Sequence, residues 1–150
     1  MRAPYDVGFL RPDEVSRTFA IMQIVMPSMN LAAWQRLVTQ DPEGRGWAVA
    51  RDERGYIRGV CRMHPATDPS TGRLLEVPML VAFSLWDEAG VSGDLLDFAR
   101  HHAWEEGCQA IRLWNRPVLS PEDLESPQPR GALSQSFFYD LATDDNHCRH

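Results

Sequence analysis

The segment Asp87–Asp94, DEAGVSGD, lies between two apolar stretches, and its two glycines, placed ahead of a helix, point to one kind of chemistry, the binding of an anion by backbone N–H groups. Before it, MLVAFSLW (Met79–Trp86) is near-continuously apolar with β-branched and aromatic residues, as a strand buried on both faces would be. After it, Leu95, Leu96, Ala99, His102 and Ala103 recur at helical spacing, with Gly107 where a helix stop is expected. Ile111–Trp114 reads as a second, short strand. A turn carrying Gly90 and Gly93 that feeds a helix N-terminus offers unpaired backbone N–H groups and the positive end of the helix dipole, which suits a phosphate. Glu76 is out of place in the apolar run LLEVPMLV, and its plainest reading is a strand-end carboxylate facing solvent. Pro78, two residues on, predicts a bulge or an edge, because proline has no N–H for the ladder.

Other reactive side chains organise less. His101 and His102 are adjacent on a helix and point about 100° apart, so they do not share a ligand. His102 falls on the apolar face and reads as a core histidine, His101 as solvated. His147, Cys148 and His150 have no second pair at zinc spacing and read as a frayed tail, so no metal is expected. Cys61 and Cys108 read as small buried apolar groups, and three cysteines do not make a disulfide framework.

The elements that would position these residues follow from pattern. At 150 residues the chain suits one domain, 1–150, and 43% apolar residues can pack a core. A net charge of −6 argues against nucleic acid as a partner. No apolar run approaches the ~18 residues of a membrane span, and MRAPYDVGF carries no apolar signal region, so a reduced, cytoplasmic protein is expected. Tyr5–Leu10 forms a first strand. Pro12 opens a helix on which Val15, Phe19, Met22 and Met26 share a face, ending near Pro27. Met22, Met26 and Met29 read as core, with an acyl pocket as the alternative. Ser28 or Asn30 caps a second helix with Leu31, Trp34, Leu37 and Val38 on one face. Strands are predicted over Gly46–Arg51 and Tyr56–Met63, then a loop over His64–Gly72, then a long strand over Arg73–Trp86. Pro117, Pro121, Pro127 and Pro129 mark a loop at about 115–130, and Ala132–Leu141 looks helical.

The resulting order, β-α-α-β-β-β-α-β-α, together with the loop at Asp87, resembles that of the GNAT (GCN5-related) N-acetyltransferases, of which this chain would be a divergent member. Their loop has Arg or Gln, two residues, Gly, one residue, then Gly or Ala, with two apolar helix positions following. Here Asp87 stands in the Arg/Gln place, Gly90 is the central Gly, Ser92 takes the Gly/Ala place, and Leu95 and Leu96 are the apolar pair. The resemblance covers nearly the whole chain, but only this stretch carries a motif.

The resemblance implies an α/β fold with a mixed sheet flanked by helices. It implies acetyl-CoA, or another acyl-CoA, as cofactor and direct transfer of the acyl group to a small-molecule or peptide amine. The cofactor would meet backbone at Val81, Ala82 and Phe83, where the strand splays from the next one, and the loop at Asp87, Ala89, Gly90, Val91, Ser92 and Gly93. Glu76 would take the amine proton. Phe138 stands where the family's general-acid Tyr often stands, which leaves Tyr139, one place later, as the candidate acid. The family usually has two more strands, and TDDNHCRH is too short for both, so the C-terminal strands are expected to be short or missing. That would leave Ile111–Trp114 at an open edge and favour a homodimer. Asp87 and Glu88 put negative charge where phosphates would lie, so weak acetyl-CoA binding is expected unless Arg100, Arg116 or Arg130 reaches them. Two alternatives stay open. One is a catalytically inactive GNAT-fold binding or assembly module. The other is an acyl-homoserine-lactone synthase-like protein, from GVCRMHPATDP (Gly59–Pro69) with Arg62, although that family's N-terminal aromatic and acidic signature is not evident.

Overall fold

A single mixed sheet, flanked by helices, organises the chain. In this computed structural model the described residues are 5–84, 86–114, 121–125 and 136–141. The chain forms β1 (Asp6–Phe9), a 3-10 turn (Pro12–Glu14), α1 (Val15–Val25), α2 (Leu31–Thr39), β2 (Trp47–Arg51), β3 (Ile57–Asp68), β4 (Gly72–Ala82), α3 (Glu88–Glu105), β5 (Ala110–Trp114), a second 3-10 turn (Pro121–Leu124) and β6 (Ser136–Asp140). The strands lie in the order β1-β2-β3-β4-β5-β6. Every neighbouring pair is antiparallel except β4 and β5, which α3 connects by crossing one face of the sheet.

The two faces are built from alternate residues of the same strands. Ala48, Ala50, Cys61, Met63, Leu75, Val77 and Ile111 face α3, where Val91, Leu95, Ala99 and Ala103 complete the core. Val49, Val60 and Met79 face α1 and α2, where they meet Met22, Met26, Met29, Trp34 and Leu37. Those methionines are 0–2% exposed, so they pack rather than line a pocket. Trp34 meets Trp47 edge to face at 4.9 Å and donates its indole N–H to the Val15 carbonyl. Asn30 caps α2 by accepting the Ala33 N–H at 2.8 Å. No helix among the described residues is long and apolar enough to cross a membrane.

Four local expectations change. DEAGVSGD is not a free turn: α3 starts at Glu88, so most of the segment is helix. His64–Gly72 is not a loop: β3 and β4 stay paired out to Asp68 and Gly72, with Pro65 opposite Leu75, and only Pro69–Thr71 turn. There the Asp68 carboxylate accepts the Ser70 and Thr71 N–H groups. Ala132–Leu141 is not a helix where it is described: Ser136–Asp140 is a strand, and positions 132–135 lie outside the described residues. Three consecutive aromatics favour a pleated surface, and β6 gains a full ladder against β5. That ladder also covers the β5 edge, which removes the open edge expected there; β6 is the outer strand, with Phe137 and Phe138 half exposed.

The first 3-10 turn is fastened by charge. Glu14 and Arg51 are 1% and 4% exposed, and Arg51 donates from Nε to Glu14 Oε2 at 2.5 Å and from Nη2 to Oε1 at 2.8 Å. Nη2 also donates to the Phe9 carbonyl at 3.0 Å, so one guanidinium ties β1, the turn and β2 together. Burial alone would raise the Glu14 carboxyl; the Arg51 hydrogen bonds and the Arg11 backbone N–H outweigh it and hold it below the ordinary glutamate value of 4.5. A lowered carboxyl contributes stability that is present above the unfolded-state value and lost as pH falls through the folded one. Glu14→Gln is expected to cost about 3–5 kcal/mol in urea unfolding, as breaking a buried pair does, and to flatten the stability profile below about pH 4.5.

Candidate functional site

The sheet opens at Pro78. β4 and β5 pair in parallel only from Leu74–Ala110 to Val77–Leu113. Just there β4 bulges: it takes three steps, Glu76 to Met79, against two on β3, Arg62 to His64. Pro78 has no N–H to extend a ladder. From Met79 to Ala82, β4 pairs with β3 alone. The Phe83 N–H donates to the Arg58 carbonyl at 2.7 Å. Alternation then turns the N–H and C=O of Met79, Val81 and Phe83 toward β3, and those of Leu80 and Ala82 toward the side that β5 has left. Of the expected trio, Ala82 therefore faces the slot with its backbone while Val81 and Phe83 face β3, and Leu80 joins Ala82.

Glu76 sits at the closed end of that slot and not at a solvated strand end. It is 0% exposed, its Oε1 accepts the Trp114 indole N–H at 2.7 Å, and its Oε2 accepts from Arg112 Nη1 at 3.3 Å. Cross-strand register puts Glu76, Arg112 and Phe138 on one face of the sheet and Leu75, Ile111 and Tyr139 on the other. Tyr139 accordingly packs against the α3-side core, with the Arg100 guanidinium over its ring at 5.1 Å. The two expected catalytic side chains are not brought together.

The N-terminus of α3 is occupied by the chain's own carboxylate. Asp87 is the N-cap: its Oδ1 accepts the Gly90 N–H at 3.2 Å, and its carbonyl accepts the Val91 N–H at 3.1 Å. A Cβ on Gly90 would collide with the Asp87 carboxylate, so the glycine is needed for the cap itself. The Tyr5 hydroxyl donates to Asp87 Oδ2 at 3.0 Å, and the Asp87 N–H donates to Ser84 Oγ at 3.0 Å. Ala89 is exposed in the first turn, Val91 is fully buried in the core, and Ser92 and Gly93 lie further along the helix. The helix ends as expected, with Gly107 at φ 76° and the Gly107 and Cys108 N–H groups returning to the Trp104 and Ala103 carbonyls. Arg100 stacks on Tyr139; Arg116 and Arg130 lie outside the described residues, as do His147, Cys148 and His150.

Buried polar groups also fix the second 3-10 turn on the α1/α2 side. The Leu124 carbonyl accepts from Arg62 Nε at 3.2 Å and meets His64 Nε2 at 3.1 Å, while the Leu124 side chain is fully buried. Arg62 also donates to the Gly46 carbonyl at 3.2 Å and lies over the Trp47 ring at 4.8 Å. Burial lowers the Arg62 guanidinium to about 10, against the pull of Asp41. Burial, with Arg62 beside it, lowers the His64 imidazole to about 4, although the Leu124 carbonyl pulls the other way. A cavity of about 220 Å³ lies beside this pair, bordered by Asp41, Arg45, His102 and Glu106. Part of its charge is already engaged, with Arg45 3.2 Å from Glu106 and Asp41 accepting the Arg45 and Gly46 N–H groups. His102 packs edge to face on Phe9, and Cys61 and Cys108 are buried free thiols, as their sequence contexts suggest. Sequence reasoning missed Tyr5, Arg112, Trp114 and Leu124. An Arg inside the apolar strand AIRLW, two residues before a Trp, was a readable sign that a buried acid needs a partner.

No protein-family model and no curated protein matches this sequence. Solved structures do match its fold. A Drosophila melanogaster polyamine N-acetyltransferase superposes with a TM-score of 0.60 at 15% identity, over 77% of this chain and 78% of that one. A GNAT family acetyltransferase from Brucella melitensis, solved in complex with acetyl-CoA, gives 0.54 at 11% identity, over 75% and 76%. The GCN5-related glucosamine N-acetyltransferase region of a fungal multi-domain GH3 β-N-acetylglucosaminidase gives 0.59 at 22% identity, over 75% of this chain but only 14% of that much longer protein. The chain has the GNAT fold. Where its strands part, Leu80 and Ala82 turn their backbone groups to the gap. The capped N-terminus of α3 does not fit a diphosphate, because a carboxylate already holds the Gly90 N–H.

Two outcomes test this geometry. Gly90→Ala is expected to displace the Asp87 carboxylate from the cap, and because alanine returns about 0.5–1 kcal/mol of helix propensity, the net loss in thermal or urea unfolding should be no more than about 1 kcal/mol. The His64 value lies below its unfolded value of 6.5, so the unfolded chain takes up protons first, and stability present above pH 6.5 falls toward pH 4. By NMR the His64 ring should stay neutral down to about pH 4, and His64→Gln should shallow that decline.

Proposed function

We propose that this chain transfers an acyl group from a pantetheine thioester such as acetyl-CoA to an amine, in one step within a ternary complex. The observation that carries the reading is the parting of β4 from β5 at Pro78, which leaves the Leu80 and Ala82 backbone N–H groups facing a gap. A bound acyl-CoA would supply an activated acyl group. The chain's own work is to position that group and to give an N–H to a developing oxyanion, which is most of what direct transfer to an amine asks of a protein. Leu80 and Ala82 would serve in that role, and Leu80, Val81, Ala82 and Phe83, all half-buried, would exclude water from the arm.

Glu76 enters this reading at the inner end of the slot. Its two oxygens already accept from Trp114 and Arg112, so a proton leaving the amine would reach it through a rearrangement of Arg112, whose side chain is 17% exposed. Tyr139, on the opposite face, would serve as an acid only for a donor sulfur at the α3 side of the gap. The same engagement of Glu76 favours the second reading, a GNAT-fold module that binds without catalysing. Peptide and small-molecule amines are both admitted as acceptors.

The test is acetyl transfer from acetyl-CoA and from S-acetylpantetheine to a panel of polyamines, arylalkylamines and peptides, read as amine-dependent thiol release, together with calorimetry of both thioesters. Ala82→Pro removes one slot-facing N–H and sets its ring in the gap, and should weaken thioester binding at least fivefold, the worth of a ~1 kcal/mol hydrogen bond, with the unfolding midpoint measured alongside to separate lost binding from lost stability. Binding without thiol release would establish the non-catalytic module. No binding of either thioester would end the acyl-transfer reading.

A further inference from the structure

The turn that leads into α3 is a built feature. Three groups from separate stretches of the chain hold the Asp87 carboxylate and its backbone: the Tyr5 hydroxyl next to β1, the Gly90 N–H of α3 and the Ser84 hydroxyl after β4. Between them they use both carboxylate oxygens and the Asp87 N–H. The space left by the missing Gly90 side chain is filled by this carboxylate, since a Cβ there would strike it. α3 has 18 residues, so its N-terminus carries a full dipole, and Asp87 is the anion that the dipole holds. Glu88 adds an exposed second negative charge beside it. Among the described residues no Arg forms an ion pair with either acid. Arg100, the cation nearest along the helix, is turned to Tyr139 and Asp97. The Tyr5 hydroxyl is raised above its ordinary value by burial and by Asp87, so it remains a donor throughout the working pH range.

We propose that Asp87 is a specificity-determining residue and Tyr5 its positioning residue: the latched carboxylate closes the α3 N-terminus to a nucleotide diphosphate, and the slot selects its thioester by the pantetheine arm alone. A diphosphate reaching this turn would have to displace a like-charged group from the Gly90 N–H and break the Tyr5 contact as well. A pantetheine thioester without the nucleotide meets neither obstacle. The choice of donor rests on the acyl-transfer reading above; the closure of the helix end does not.

Two measurements separate those parts. In the first, inorganic pyrophosphate is titrated into the full chain and the Ala89 and Gly90 amides are followed by NMR. In wild type neither amide should shift at millimolar pyrophosphate. Asp87→Ser keeps a good helix cap without the charge, and there both amides should shift and saturate, more steeply at low salt. In the second, calorimetry compares acetyl-CoA with S-acetylpantetheine. Wild type should bind the two within about threefold, and Asp87→Ser should tighten acetyl-CoA about tenfold or more while leaving S-acetylpantetheine unchanged, the sense expected from removing one like charge. Tyr5→Phe should move acetyl-CoA in the same direction by less. If Asp87→Ser does not fold, the isosteric Asp87→Asn replaces it with the same expected direction. Saturable pyrophosphate binding at wild-type Gly90, or an Asp87→Ser chain that still ignores pyrophosphate, overturns the closure. Wild type binding acetyl-CoA tenfold tighter than S-acetylpantetheine overturns the donor choice. If neither thioester binds any form, the acyl-transfer reading falls, and the pyrophosphate titration still decides the role of Asp87.

Discussion

A parallel strand pair that cannot continue governs this structure. β4 and β5 share four register positions, and at Pro78 the ladder ends because β4 bulges and the next residue has no N–H. Backbone polar groups rarely go without partners, so the stretch Met79–Ala82, paired with β3 alone, is a constraint on everything around it. α3 must cross the face of the sheet to bring β5 back parallel, and its N-terminus therefore lies at the open end of β4. The slot, the helix end and Glu76 are neighbours for that one reason.

The buried charges of Glu14, Glu76 and Arg62 are each met by specific partners. Glu14 receives a two-point contact from Arg51, and Glu76 receives Arg112 and an indole N–H. Arg62 relies on two carbonyls and the face of Trp47. Each arrangement costs desolvation and returns position. Arg51 sets β1 and the first 3-10 turn against β2, Arg112 closes the inner end of the slot, and Arg62 with His64 docks the second 3-10 turn through the Leu124 carbonyl. The segment that reads as a Pro-rich loop is thus anchored at Leu124 by polar groups that its own composition does not announce.

Gly90 shows how one residue supports two readings. A glycine at the start of a helix suits the close approach of a phosphate, and the spacing from Asp87 resembles an acetyl-CoA loop. In the folded chain the approach is made by Asp87 itself, held by Tyr5 from 82 positions away in sequence. Residue spacing records that something comes close to Gly90; only the three-dimensional arrangement says what.

The sequence by itself determined the element types where periodicity and punctuation were strong. The face of α1 through Met22 and Met26, the Asn30 cap, the Gly107 stop and the bulge at Pro78 were all legible, because each rests on contacts within a few residues, whereas the run read as a strand buried on both faces, Met79–Trp86, leaves the sheet after Ala82 and exposes Trp86. The GNAT order of elements followed from them. The failures were those in which long-range pairing overrides local preference: His64–Asp68 looks like a loop until β4 pairs with it, and Ser136–Asp140 looks helical until β5 does. Tertiary structure alone decided that Glu76 is enclosed rather than solvated, that Tyr139 lies across the sheet from it, and that the Asp87 carboxylate, held by Tyr5, caps the helix N-terminus. Those outcomes depend on which face a residue takes and on partners far along the chain, such as Arg112, Trp114 and Tyr5, and both are set when the strands pair.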